Sequence, residues 1–322
     1  MKICVYGAGA VGGSLAVRMG RAGADLSVVA RGDHGRAIRQ AGLMLVSGAE
    51  RLHARVNCVE EPAELPPQDV VIVAVKGPDL PAIADSLPLI TTPATRVVFA
   101  MNGIPWWFAE GLDVALPDAI FERLDPGARL RRALRSDQIV GCVIYSSNEV
   151  VEPGVIRNVS MRNRVILGKP DGDADAVVHS LVELLQHAGY DAAQTRAIRE
   201  EIWIKMLLVV GPSPVCALTG GTVGDLLNDE ASRALIAMVM REGAAIGRRL
   251  GFAIPDDIAA MLAFYRDKPV RPSLLQDFEA GRTPELDNGI LAFSAIAAAL
   301  GLRVPTLDNV ATLVRLKRDL ST

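Results

Sequence analysis

Lys2-Ile3-Cys4-Val5-Tyr6-Gly7-Ala8-Gly9-Ala10-Val11-Gly12-Gly13 is the stretch that decides the fold. Its first five residues form an apolar run stopped by glycine, as in a buried strand. A GxGxxG turn follows, and an apolar-periodic segment runs on to Ala22. Strand before and helix after is the context in which this turn binds a dinucleotide pyrophosphate. Gly7 permits the tight turn, Gly9 lets a phosphate approach the backbone, and Gly12 lets the helix lie close to the strand. Ala8, Ala10 and Val11 complete the loop, and the helix start offers unpaired N–H groups and partial positive charge to the phosphates.

Working outward, Asp25–Ala30 reads as the second strand, and the residue after it selects the cofactor. An acidic residue there would accept from the ribose 2′-hydroxyl of NAD. This chain has Arg31 followed by Gly32, with Asp33 two residues late. A guanidinium suits a 2′-phosphate and offers a hydroxyl no acceptor, so the expected cofactor is NADP(H). Val70–Val75 and Arg96–Ala100 are β-branched runs of the kind that fill a parallel sheet. They end at Lys76 and at Met101-Asn102-Gly103. Ligands of open parallel sheets bind beyond the carboxyl ends of strands, so Lys76 and Asn102 join the candidate cofactor residues.

The rest of the N-terminal half is less regular. Trp106–Gln138 opens on a Trp-Trp-Phe cluster, which reads either as local packing or as part of a lid. Ile139–Tyr145, Val155–Val159 and Arg164–Leu167 read as strands that extend the sheet in antiparallel fashion, and Ala174–Ala188 as a helix ended by Gly189. The expected architecture is α/β: an N-terminal Rossmann-type doubly wound sheet followed by an all-α C-terminal domain. The NADP-binding domain with its antiparallel extension spans 1–194, and the helical substrate and catalytic domain spans 195–322.

Past Arg196 the expected helices are Ile198–Val210, Asn228–Leu250, Asp256–Phe264, Glu285–Leu300 and Thr306–Leu320, and Thr283-Pro284 reads as a helix start. In the first, Ile198, Ile202, Lys205 and Val209 share one face, so a lysine stands where leucine is expected. A desolvated lysine is a proton donor with a tunable pKa, while a snorkelling lysine at the edge of the stripe fits the same spacing. The pattern alone leaves both open. The long Asn228–Leu250 helix could serve as the seam of a homodimer.

Composition excludes several classes. Half of the 322 residues are hydrophobic, 22% are charged and the net charge is −3, so there is no basic footprint for nucleic acid or an anionic membrane. Cys4, Cys58, Cys142 and Cys216, like the four histidines, are scattered without metal spacing and read as reduced apolar side chains of a cytoplasmic protein. The glycines of the first turn would break a signal-peptide helix. No run is expected to approach the ~20 apolar residues of a membrane span.

Together these motifs resemble ketopantoate reductase (2-dehydropantoate 2-reductase) over nearly the whole chain. The GAGAVGG loop, Arg31-Gly32, Lys76, Met101-Asn102-Gly103, Glu201-Ile202-Trp203-Ile204-Lys205, the PSLLQD stretch at 272–277 and Glu285-Leu286-Asp287 carry the resemblance. It implies NADPH-dependent reduction of a small-molecule 2-oxo acid, most simply 2-dehydropantoate to pantoate in pantothenate synthesis. Lys205 would give the proton to the ketone oxygen. Asn102 would touch nicotinamide and substrate, Glu285 would lie by the cofactor and the substrate hydroxyl, and Ser273 would bind substrate. The family places asparagines four and eight residues after the lysine and one just before the serine motif. Here these positions are Val209, Ser213 and Val270. Ser213 retains one polar contact for substrate, and the two valines point to a more apolar 2-oxo acid. The segment Trp106–Gln138 is longer than the family's connection by roughly twenty residues, a length that often carries function. A non-catalytic NADPH sensor is the reading of a different class, and Lys205 with Glu285 speaks against it.

Overall fold

Short β-branched runs build the centre of the first of two compact units. The structure is a computed structural model that describes residues 1–160 and 163–321. In chain order the strands are β1 (Lys2–Tyr6), β2 (Asp25–Val29), β3 (Leu43–Ser47), β4 (Glu50–Ala54), β5 (Asn57–Val59), β6 (Val70–Val73), β7 (Arg96–Phe99), β8 (Ile139–Tyr145), β9 (Asn148–Glu152), β10 (Val155–Asn158), β11 (Arg164–Gly168) and β12 (Asp191–Gln194). The main sheet runs β12-β11-β8-β7-β6-β1-β2-β5. From β5 to β8 every pairing is parallel. That half is the doubly wound arrangement in which strand order reverses between the first and fourth strands, here β1 and β6. All four residues of β6 are buried, as expected of a strand covered on both faces. β11 then pairs antiparallel with β8 and carries β12 parallel to itself.

Val155–Val159 is expected in this sheet as well. Instead β10 belongs to a second, four-stranded sheet of order β4-β3-β10-β9. The turn at Pro153-Gly154 folds β10 antiparallel against β9, and β10 pairs in parallel with β3. The β3–β4 hairpin, turning at Gly48 with φ +59°, went unrecognised in the sequence. The Ala10–Arg21 helix contacts β1 and β2 as well as the small sheet. Ile3, Val5, Leu15, Val17, Leu43, Leu45 and Ile156 therefore share one buried cluster. Each such side chain contributes about 1.5–3 kcal/mol by leaving water.

The two compact units are Met1–Trp107 with Gly127–Arg199, and Phe108–Pro126 with Glu200–Thr322. Among the described residues, every regular element of the second is helical. Its long helix, Glu230–Arg249, contacts Val223–Asn228, Ile258–Ala263, Ile290–Ala299 and Pro305–Leu320. Asp229 starts this helix by accepting from Ser232 N–H at 2.7 Å. Glu242, on its flank, accepts from the backbone N–H groups of Thr306 and Leu307 and so caps the Pro305–Leu320 helix. Trp203 stacks on Phe293 at 4.1 Å and donates its indole N–H to the Gly243 carbonyl at 3.0 Å. A Cβ at Gly247 would lie 2.5 Å from the indole nitrogen, so glycine is required for that approach.

Two further expectations are corrected and one alternative is resolved. Ile198–Thr219 is long and apolar enough to cross a membrane by length and composition, contrary to the sequence reading, and 72% of its best window is buried inside the protein. Pro212 divides this stretch into two helices, Ile198–Val210 and Pro212–Thr219, because it lacks the N–H that would continue the ladder. The helix expected from Glu285 begins only at Ile290, after Gly289. Residues 283–289 form turns instead, with Leu286 N–H donating to the Pro284 carbonyl and Gly289 N–H to that of Leu286. Between packing and lid for the aromatic cluster, burial decides for packing: Trp106, Trp107 and Phe108 are each at most 1% exposed.

Candidate active site

Parallel register lines up the candidate residues of the first unit. Tyr6 is level with Val29 on one side and Val73 on the other, and Val73 is level with Phe99. The chain therefore leaves β2 toward Arg31, β1 toward Gly7, β6 toward Lys76 and β7 toward Asn102 along one edge of four adjacent strands. At about 4.8 Å per strand, that edge spans roughly 14 Å. It includes the β1/β6 reversal, where doubly wound sheets take their ligands.

The glycine turn is packed too tightly for side chains at two of its positions. Gly7 has φ +96°, and a Cβ there would meet Val75 Cγ1 at 2.8 Å. A Cβ on Gly12 would sit 2.0 Å from the Gly7 carbonyl oxygen. Around the Cβ position of Gly9 there is nothing within 4 Å. Gly9 starts the Ala10–Arg21 helix, and no side chain caps it. The N–H groups of Ala10, Val11 and Gly12 thus belong to a helix start with positive partial charge and an open approach over Gly9, which is the cradle an anionic diphosphate fits.

Arg31 stands at the start of the Gly32–Ala41 helix and is exposed. Asp33, two residues on, is paired with Arg36. Lys76 and Asn102 are also exposed. Lys76 precedes the short Gly77–Asp79 turn, and Asn102 precedes the buried Gly103–Ala109 run.

The remaining candidates lie in the second unit. Lys205 is half-buried on a helix with no exposed residue between 201 and 210. The deeply buried side chains Ile202, Trp203, Met206, Leu207 and Val210 define its inner face, and Lys205 and Val209 flank that face. Ser213 is buried in the Pro212–Thr219 helix. The Ser273–Glu279 helix packs against this one, but Ser273 itself is exposed at its start. Val270 precedes it, half-buried, and its carbonyl accepts from Val223 N–H at 2.9 Å. Glu285 is half-buried in the turn region. The approach to it is fixed by Asp277, 3% exposed, which accepts from Arg282 Nε at 2.8 Å.

Two features escaped the sequence reading. Asp287, two residues past Glu285, accepts from Arg123 at 2.8 Å and lies 3.5 Å from Arg318. Arg123 comes from the unusually long segment, whose Asp118–Leu124 helix contacts Ile290–Ala299. His34 is the other: its Nε2 lies 2.8 Å from the Ala8 carbonyl oxygen, and its Nδ1 accepts from Gly154 N–H at 3.1 Å. Neither has a local sequence signature, since the partners are 26 and 120 residues away from His34 and 164 from Arg123. All four cysteines are buried, and none forms a disulfide among the described residues. Burial pushes the Cys4 and Cys216 thiols up to about 12, which makes them poor nucleophiles.

Comparison with known proteins gives the family and the fold. The family profile described as "Ketopantoate reductase PanE/ApbA" matches residues 3–172, and its C-terminal counterpart matches residues 197–318. A 2-dehydropantoate 2-reductase of Mesorhizobium japonicum is 36% identical over 98% of this chain and 97% of its own length. The crystal structure of a Ralstonia solanacearum MolK2 protein, 36% identical, superposes with a TM-score of 0.89 over 99% of this chain and 98% of that one. D-Mandelate dehydrogenase in its ternary structure with NADH and anilino(oxo)acetate shares the fold at 19% identity, with a TM-score of 0.82 over 100% and 99% of the two chains.

Proposed function

The chain belongs to the ketopantoate reductase family of oxidoreductases, and from that premise we propose that it reduces a 2-oxo acid to the 2-hydroxy acid with NADPH. Reduction of a 2-oxo acid with a nicotinamide cofactor is the family's chemistry. NADPH and the individual substrate are our reading. The observation that carries NADPH is Arg31, exposed just past the end of β2, where an NAD-binding fold places an acidic residue. A 2′-phosphate there gains a charge-assisted partner, whereas a guanidinium offers a 2′-hydroxyl no acceptor.

In this reading Gly7, Ala8, Gly9, Ala10, Val11 and Gly12 hold the pyrophosphate, and Lys76 and Asn102 flank the nicotinamide half. When bound, NADPH supplies the hydride that the carbonyl carbon accepts. Lys205 gives its proton to the ketone oxygen, so negative charge never accumulates unpaired as that oxygen becomes an alkoxide. Its half-buried place beside the apolar inner face of the helix favours this role. Asn102 orients the substrate against the cofactor, and Glu285 accepts from hydroxyl groups of both. Ser213 and Ser273 offer hydroxyls to the substrate.

The simplest substrate is 2-dehydropantoate, whose product enters pantothenate synthesis, and the buried thiols suit work in the cytoplasm. Val209 and Val270 favour a second reading, a bulkier and more apolar 2-oxo acid, because they return no hydrogen bond to a buried polar group. D-Mandelate dehydrogenase, which shares the fold, holds the aryl-bearing anilino(oxo)acetate in its ternary structure, and aryl-substituted acids therefore belong in the test. The test is cofactor oxidation with NADPH and with NADH across 2-oxo acids that include ketopantoate and aryl-substituted members. Turnover with NADPH is expected throughout the active set. Efficient use of ketopantoate alone refutes the second reading, and no turnover of any 2-oxo acid refutes both.

A further inference from the structure

We propose that His34 is a positioning residue for the cofactor turn, holding the Ala8–Gly9 peptide so that the Gly9 N–H faces the phosphate approach. This rests on the reading of residues 7–13 as the pyrophosphate turn. Gly154 N–H donates to Nδ1 of His34 at 3.1 Å, so Nδ1 carries a lone pair and the ring proton sits on Nε2. Nε2–H then donates to the Ala8 carbonyl at 2.8 Å. A peptide unit is planar and trans, so its C=O and the following N–H point in opposite directions. Anchoring the Ala8 oxygen on the imidazole therefore aims Gly9 N–H away from His34, and the approach over the Gly9 Cβ position is itself open.

The anchor has a firm foundation. His34 lies on the first turn of the Gly32–Ala41 helix that Arg31 begins. Gly154, with φ +79°, lies against that helix, where a Cβ would be 3.3 Å from Ala37 Cβ. The Gly154 carbonyl accepts from Met44 N–H at 2.9 Å, which ties the turn into the small sheet. Farther along, β10 presses Ile156 against Gly13, where an added Cβ would lie 2.8 Å from Ile156 Cγ1. The small sheet thus braces the cofactor turn through His34 at one point and through Ile156 at another.

The experiment uses the full chain and titrates NADPH and NADH calorimetrically into the wild type, His34→Ala, His34→Asn and His34→Gln. A glutamine amide nitrogen reaches the Nε2 position and can still donate to Ala8, whereas asparagine reaches only the Nδ1 position. Loss of one hydrogen bond of ordinary strength predicts about five-fold weaker binding in the alanine and asparagine variants, equally for both cofactors. The glutamine variant should stay within about two-fold of wild type by the same arithmetic. Wild-type affinity in His34→Ala, or a glutamine variant as weak as alanine, overturns the proposal. Failure of the wild type to bind either cofactor overturns the reading beneath it. Should the alanine and asparagine variants not fold, the ring-nitrogen NMR shifts of the wild type still decide. An Nε2–H tautomer is required, and an Nδ1–H tautomer overturns the proposal.

Discussion

Replacing Gly9 and Gly12 separately by alanine should divide binding from stability. At Gly12 the new methyl carbon would lie 2.0 Å from the Gly7 carbonyl oxygen, 2.9 Å from Val5 Cγ1 and 3.0 Å from Ala74 Cβ. The first of these is a backbone atom of the turn itself, so the helix must retreat by more than about 1 Å before the contact is tolerable. Overpacking of that kind costs about 1–3 kcal/mol, with this site at the upper end. For a unit of this size each kcal/mol moves Tm by about 2–4 °C, so Gly12→Ala should lower Tm by about 5–10 °C. At Gly9 the methyl meets nothing within 4 Å and the φ of −66° suits alanine. Losing glycine at the helix cap costs about 0.5–1 kcal/mol, and the stiffer unfolded chain returns about as much. Tm should therefore stay within about 2 °C of wild type. The methyl would nonetheless occupy the path of the pyrophosphate, and NADPH should bind at least about ten-fold more weakly, a loss of about 1.4 kcal/mol. Thermal unfolding and calorimetric titration of both variants give the four numbers. Unchanged affinity in Gly9→Ala would mean that no phosphate passes over this turn, and an unchanged Tm in Gly12→Ala would refute the packing argument.

Arg31→Ala should weaken NADPH by about 10- to 150-fold and leave NADH nearly unchanged, the loss of one charge-assisted contact; equal losses would remove Arg31 from the phosphate site. Lys205→Ala should lower kcat by about 10²–10⁴ with NADPH affinity kept, and a kcat within a few-fold of wild type would take the lysine out of the reaction. Asp175 gives a pH prediction. Burial pushes its carboxyl up, but the Arg96 guanidinium at 2.7 Å and the N–H groups of Val177 and Val178 outweigh this and hold it below the usual range. A carboxyl lowered in the folded state stabilises above its unfolded pKa of about 3.9, and that stability drains away as pH falls through the lower folded value. Asp175→Asn should be less stable near neutrality and less sensitive to acid below about pH 4, read from Tm against pH; an unaltered acid limb would rule the residue out.

What the sequence disclosed and what it hid follow from how far apart the partners lie. The glycine turn, Arg31, Lys76 and Asn102 were legible because each follows a short apolar run, and parallel register does the rest. The Ile198–Val210 helix was legible in full, since its periodic apolar positions lie within one segment. The small sheet was not, because β3 pairs with β10 across more than a hundred residues and its strands are only half-buried, which blurs the alternation. Glu285 was expected on a helix because Thr-Pro resembles a helix start, but the turns at residues 283–289 delay that start to Ile290. His34 reads as an ordinary surface histidine until the fold brings Ala8 and Gly154 to its two nitrogens.

The allotment of Phe108–Pro126 to the second unit sets a rule for how this protein can be recombined. Neither unit is one continuous length of chain, so a chimaera spliced once near residue 199 would carry nineteen residues with the wrong parent. Phe108 would lose its own stacking partner Trp203 and its edge contact with Phe252, and Arg123 its own Asp287. Exchange of the helical unit between relatives therefore needs three junctions, at 107/108, 126/127 and 199/200, with the short excursion travelling alongside the long one. Sequence drift in that excursion should accordingly track drift in the helices around Trp203 rather than in the strands on either side of it.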